Sequence, residues 1–357
     1  MKCGSCRKIA IKAVWLTERC VERGRTPNTT HSGLYVAKER GYFEQEGLDV
    51  KLVSPHVTGY KITPINLLDA GEADFALGTS EAIYGYSATS PKPKLQAVAS
   101  VMARDISRIV TLKEDGIDRP AKLDGQYYAS YASRFEGVVV KKLIQNDGGK
   151  GTFIECVAED NDTWNMFLER ESSACWVLLH WEGVEASMKG VELNTFALED
   201  YGVGYTFLEV IFARTEKLEE DPDLAESFLR ACRKGYTEAA KDPAAAAEMF
   251  MTAVAKEYKD HPVTLDVELV RRSQEIISQY FLDEDGVWGR IDRRCVERNL
   301  DWLSDNGLLT RLINSCSPSV GEGSSSTEPE GWGSDERIPR EELDSRRTFT
   351  NRYLDTC

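Results

Sequence analysis

The sequence predicts an α/β protein of two lobes, each a mostly parallel sheet flanked by helices, with two hinge crossings of the chain between them. Three observations carry this. The 357 residues exceed one typical domain and suit two units of about 100–200 residues each. Short apolar runs alternate with helix-length amphipathic stretches along most of the chain. Residues 26–50, TPNTTHSGLYVAKERGYFEQEGLDV, describe a strand exit, a polar loop, a helix and a returning strand in one passage.

Ile9 to Trp15 reads as the first strand. A helix starts near Ser32 with Leu34, Val36 and Ala37 as its apolar positions, Gly41 stops it, Tyr42 and Phe43 pack the return, and Asp49 to Leu52 is a strand. Ile65 to Ala70 is a helix and Phe75 to Leu77 a strand. Leu95 to Met102 leaves the first lobe, and Ser107 to Lys113 enters the second. There Gln126 to Ser130 is a strand, Glu136 to Gln145 a helix, and Ile154 to Val157, Cys175 to Leu179 and Leu193 to Ala197 are strands. Tyr205 to Ala213 returns to the first lobe, and helices near 222–241, 243–256, 264–280 and 292–304 finish it. Lobe 1 thus spans about 9–103 and 204–312 and lobe 2 about 104–203. A hinge between lobes makes a cleft that can close on a ligand.

Residues 1–8 are expected to be flexible. Thr17 to Arg25, TERCVERGR, reads as an insertion between the first strand and the polar loop. Residues 313–357, rich in Ser, Gly, Pro and charge, bury too little apolar surface to repay ordering entropy and are expected to be a disordered tail.

Composition excludes several functions. A net charge of −15 leaves no basic face for phosphates, so no nucleic-acid partner is expected. No run approaches about 18 apolar residues, so no membrane segment is expected. The N-terminus MKCGSCRKIAIKAVW lacks the roughly 7–15-residue apolar core of a signal peptide. Nine cysteines show no disulfide framework. Cytoplasmic localisation is the expectation, with no support for a transporter partner. Cys3 and Cys6 form a CxxC at the terminus without a second pair, and no metal site is expected.

The passage PNTTHSGLYVAKERGYFEQEGLDV resembles the opening of the family that joins fungal thiamine pyrimidine synthase to bacterial formylaminopyrimidine-binding proteins, a branch of the type II periplasmic binding protein fold. Three later segments support the resemblance, which runs from about Ile9 to about Leu309. Asp69 to Ala76, DAGEADFA, resembles the family's helix-to-strand element. Gly78 to Glu81, GTSE, resembles the next ligand loop of the binding-protein members. Trp176 to Ala186, WVLLHWEGVEA, resembles the tryptophan-rich strand and helix start of the pyrimidine binders.

The candidate ligand-binding residues are Trp15, Asn28, His31, Thr79, Ser80, Glu81, Ser130, Tyr131, Ser133, Trp181, Glu182 and Tyr205. The loop Thr26 to His31 lies at a helix N-terminus, where free N–H groups favour a hydrogen-bonding ligand. Trp15 closes a strand, as core or as site wall. His31 donates to a ligand, caps the helix or is merely solvent-exposed; the fungal enzymes that the chain resembles carry a His in this loop. Glu81 pairs with an aminopyrimidine's amino group and ring nitrogen, or stabilises a helix N-terminus through the dipole. Ser130 to Glu136 supplies the second jaw for an anionic or polar group, or a plain capping box of Ser133 with Glu136. Trp176 and Trp181 sit at the matching strand end, where an aromatic plate stacks on a flat heterocycle and simple interlobe packing explains one of the two, Trp176, equally well.

The resembled synthase uses a lysine-held pyridoxal phosphate, its own histidine and an iron-binding cysteine run. Residues 75–84 here hold neither Lys nor His, and 203–207 hold no Cys. A Schiff base needs an amine and iron needs ligands. The expectation is therefore a soluble binder of a small molecule, an aminopyrimidine precursor of thiamine, with no catalytic residue and no cofactor. The alternatives are a synthase-like enzyme with a divergent site, for which pyridoxal phosphate and iron would be the cofactors, and a binder of sulfonate, riboflavin or another small heterocycle.

Overall fold

The computed structural model describes residues 9–15, 27–58, 63–89, 94–157, 162–206, 208–310, 337–340 and 344–355. The expected flexible residues 1–8 and the expected insertion 17–25 lie outside them. In chain order the strands are β1 (Ile9–Trp15), β2 (Leu48–Val53), β3 (Phe75–Thr79), β4 (Leu95–Ser100), β5 (Ser107–Leu112), β6 (Tyr127–Ser130), β7 (Ile154–Val157), β8 (Ala174–Leu178), β9 (Leu193–Phe196) and β10 (Glu209–Arg214). The helices are α1 (Ser32–Glu39), α2 (Tyr42–Gln45), α3 (Pro64–Asp69), α4 (Ser80–Thr89), α5 (Glu136–Asn146), α6 (Thr163–Leu168), α7 (Glu182–Met188), α8 (Thr215–Glu220), α9 (Pro222–Lys241), α10 (Pro243–Glu257), α11 (Val267–Ile277), α12 (Arg293–Asp305), α13 (Ser345–Thr348) and α14 (Arg352–Asp355).

They form two five-stranded sheets, ordered β2-β1-β3-β10-β4 and β7-β6-β8-β5-β9. β1 pairs in parallel with β2 and β3, and β6 in parallel with β7 and β8. Each sheet has one antiparallel strand, and it is the one that enters from the other lobe: β10 between β3 and β4, β5 between β8 and β9. The α/β architecture read from the sequence is the one observed. Central strands are buried along their length, as β8 is at all five positions, whereas edge strand β2 alternates with Leu48, Val50 and Leu52 inward and Asp49 and Lys51 outward.

Local chemistry explains the boundaries. Gly41 takes the left-handed conformation (φ 68°) that ends α1. Asp221, Asp242 and Asp266 cap α9, α10 and α11, with Pro following at the first two. Helix α6, absent from the sequence expectation, has only six residues, too few to show periodicity, and Asp162 caps it.

The tail departs from expectation. Of residues 313–357, those at 337–340 and 344–355 are ordered against lobe 1, with Ile338, Phe349, Tyr353 and Leu354 buried. Averaging composition over the whole tail conceals these four apolar side chains. Phe349 bridges to Ala97 on β4, and the Thr350 N–H donates to the Ala97 carbonyl at 2.9 Å. The segment thus covers an edge strand whose backbone groups would otherwise lack partners.

Candidate functional site

Four loops at the C-terminal ends of parallel strands face one another across the lobes, the position where open α/β sheets bind ligands. They are 28–31 near the end of β1, the Thr79–Glu81 turn after β3, 130–136 after β6 and 179–182 after β8.

The first loop is held rigidly. The Asn28 side chain accepts from the Thr30 N–H (2.9 Å), and the His31 ring accepts from the Asn28 N–H through Nδ1 (3.3 Å), a reciprocal cap. This is the capping alternative for His31, and its ring is buried. Tyr236 on α9 donates to the Thr30 carbonyl (3.0 Å), and the Thr29 and Ser273 hydroxyls lie 2.5 Å apart. Across the cleft, the Thr30 hydroxyl meets His180 Nε2 at 3.0 Å, with both residues fully buried. His180 was not among the sequence candidates, although it stands within the WVLLHWEG segment that carried the resemblance. Trp15 ends β1 opposite Leu77, adjacent to the Thr79 turn.

Glu81, in the first turn of α4, joins the lobes. Its Oε1 accepts from the Phe135 N–H of lobe 2 (3.3 Å), and its Oε2 from the Tyr205 hydroxyl (2.8 Å) on the segment returning to lobe 1. Burial pushes the Glu81 carboxyl above its ordinary range, against these donors and the nearby Arg134 charge. Burial also pushes the Tyr205 hydroxyl well up, reinforced by Glu81. Around Tyr205 stand the rings of Trp176 at 5.9 Å, Trp302 at 6.1 Å and Phe135 at 6.3 Å, all edge-on. Trp176 therefore joins the Glu81 cluster, whereas Trp181 packs into the larger core of lobe 1 helices. Trp176 thus packs where the two lobes meet, as the interlobe reading expected, whereas Trp181, the expected plate for a heterocycle, is itself buried in the other core. Glu182 spends Oε2 on the Leu178 N–H at the end of β8 (2.9 Å). Ser80 is buried at the start of α4, its N–H bound to the Leu208 carbonyl.

The lobe 2 jaw is organised by Glu136, the first residue of α5. The hydroxyls of Tyr128 and Ser130, the N–H of Tyr131, and both the N–H and hydroxyl of Ser133 donate to its carboxylate at 2.8–3.2 Å. Ser130, Tyr131 and Ser133 are thus brought together, but by an internal side chain. Burial, helped by Glu155, pushes the Glu136 carboxyl up to about 7. Since this value exceeds the 4.5 of an unperturbed glutamate, folding takes up a proton between these limits, and stability is full below about 4.5 and falls as pH rises towards 7. A shift of this size corresponds to about 3 kcal/mol. Glu136→Gln cannot titrate, so urea unfolding from about pH 4 to 8 should show the wild type losing about that much stability relative to the variant. Parallel pH profiles for the two proteins would refute the assignment.

Among the described residues no three His, Cys, Asp or Glu side chains converge as a metal site requires, and no helix is long and apolar enough to cross a membrane. A cavity of about 620 Å³ opens at the rim of the lobe interface, between α7, β9 and α11. It lies beside Leu179 but holds none of the predicted site residues.

The chain is 26% identical over 288 residues to the formylaminopyrimidine-binding protein of Halalkalibacterium halodurans, covering 80% of this chain and 84% of that one. Its fold matches the alkanesulfonate-binding protein SsuA of Xanthomonas axonopodis bound to MOPS (TM-score 0.57, 11% identity, 85% and 94% of the two chains). It likewise matches the periplasmic aliphatic sulphonate binding protein SsuA of Escherichia coli (TM-score 0.57, 12% identity, 84% and 93%). A family described as NMT1/THI5 like matches residues 28–246, more than half of the sequence and both jaws of the site; the chain belongs to the NMT1/THI5-like family.

Proposed function

We propose that this protein is a two-lobed binder whose ligand is an aminopyrimidine related to thiamine precursors, taken up without a cofactor. The observation that carries the reading is the relationship to a formylaminopyrimidine-binding protein over four fifths of both chains. The site chemistry supports it. Two buried carboxylates, Glu81 and Glu182, stand in the first turns of α4 and α7, and Tyr205, which donates to Glu81, lies edge-on to Trp176. Carboxylates accept from amino and protonated ring nitrogens, and aromatic rings suit a flat heterocycle. The absence of Lys and His from 75–84 and of Cys from 203–207 weighs against the synthase reading.

Thermal unfolding in the presence of formylaminopyrimidine, hydroxymethylpyrimidine, thiamine, riboflavin and alkyl sulfonates tests the proposal. A ligand at about 100 times its Kd adds about 2.7 kcal/mol, and the aminopyrimidines are expected to do so. Stabilisation by sulfonates alone would sink the pyrimidine reading. An aldimine absorbance with pyridoxal phosphate, together with iron-dependent mass loss at a histidine, would promote the enzyme instead.

A further inference from the structure

We infer that Glu136 is the specificity-determining residue of the lobe 2 jaw: its carboxylate is the anion that this jaw holds, so the cleft excludes sulfonate, sulfate and phosphate there. The inference deepens the proposed function and rests on it in taking loop 130–136 as a wall of the ligand cleft. A loop leading into a helix N-terminus presents backbone N–H groups to one point, and such a point collects an oxyanion. Here the point is occupied. Glu136 Oε2 takes the N–H groups of Tyr131 (3.0 Å) and Ser133 (3.2 Å) and faces the hydroxyls of Ser130 and Ser133, while Oε1 takes the Tyr128 hydroxyl.

The surroundings reinforce the exclusion. Glu155 brings a second carboxylate to the Ser130 hydroxyl at 2.6 Å. Arg134, the cation within the loop, turns its guanidinium to the Thr310 carbonyl (2.9 Å) and hydroxyl (3.2 Å) in lobe 1. An incoming anion would find the donors taken and meet like charge at short range. Sulfonate-binding proteins share the fold, so the fold does not itself bar anions; in this chain the Glu136 carboxylate takes the donors that the loop would offer to one. A ligand neutral or cationic on this side remains free to bind.

Calorimetric and NMR titrations of the wild type at pH 8 with sulfate and methanesulfonate should show no saturable binding up to about 10 mM, well short of even a millimolar site. Glu136→Ala vacates the jaw. Acetate should then raise its unfolding midpoint saturably relative to chloride at equal ionic strength, while Glu136→Gln, which keeps the jaw filled, gains nothing. Saturable wild-type binding that moves the Tyr131 and Ser133 amide signals would overturn the inference. So would a folded Glu136→Ala protein indifferent to acetate, or an equal acetate response in Glu136→Gln. Should Glu136→Ala fail to fold, the wild-type titration still decides. None of these probes is a pyrimidine, so failure here is distinct from failure of the ligand screen.

Discussion

Gly235→Ala is expected to lower stability by about 3 kcal/mol or more and to cripple ligand binding with it. Helices α1 and α9 cross so closely that a Cβ at Gly235 would lie 2.0 Å from the Gly33 carbonyl oxygen and 2.8 Å from the Ala37 Cβ. Backbone cannot yield as a flexible side chain can. Overpacking of a close-packed core costs about 1–3 kcal/mol where neighbours can shift, and more where they cannot. The helix pair must therefore separate, and α1 is the helix whose N-terminus carries the 28–31 loop. Tyr236, next to Gly235, is stacked on Trp288 (ring centroids 4.6 Å) and donates to the Thr30 carbonyl. Moving α9 drags that donor away from the loop. Gly33→Ala should act similarly, since its Cβ would enter the Tyr236 ring at 2.2 Å. Chemical unfolding of each variant measures the stability, and titration of any ligand found in the screen measures the coupling. A Gly235→Ala midpoint equal to wild type would show that the crossing is looser than its geometry.

This crossing marks where sequence reasoning stops. Elements were legible because their causes are local: the apolar residues Leu34, Val36 and Ala37 and the stop at Gly41 define α1, and the alternation at 48–52 defines β2. The two sheets followed from the strand–helix rhythm. What escaped was every feature that depends on partners far apart in the chain. Nothing near Gly33 announces that Tyr236 will lie against it. Thr30 and His180 are 150 residues apart, yet hydrogen-bonded. The capping reading of Ser133 and Glu136 found the right residues but missed that the carboxylate gathers the loop inward, because Tyr128 and Ser130 enter only once β6 lies beside α5. Trp176 lies within β8 opposite Ile109 while Trp181 stands beyond the strand at the start of α7, and the different cores they enter are fixed by packing that the segment itself does not display.

Phe349→Ala is expected to destabilise the protein by about 3 kcal/mol, the low end of the range for truncating a buried phenylalanine. Phe349 is 5% exposed, packs at 5.4 Å from the ring of Tyr84 on α4, and belongs to the core that spans both lobes. The cost has a ceiling. The segment 344–355 is a peripheral strap, so a variant that loses more than the strap's own docking free energy releases the strap instead of straining the core. Docking is held by Tyr353 and Leu354 in the lobe 1 core, by the Asn351 side chain bracketing both backbone groups of Ile291 (2.8 and 3.0 Å), and by the Ser345 hydroxyl donating to Glu297. Release uncovers β4, which is covered at Ala97 by Phe349 and at Ser100 by Gly289. An edge strand stripped of half its cover pairs with other chains. Truncation after residue 336 should therefore reproduce or exceed the Phe349→Ala loss and add concentration-dependent aggregation. Unfolding midpoints, limited proteolysis and light scattering on both variants check this. A truncated protein as stable and as monodisperse as the full chain would mean that the strap is docked without contributing to the fold.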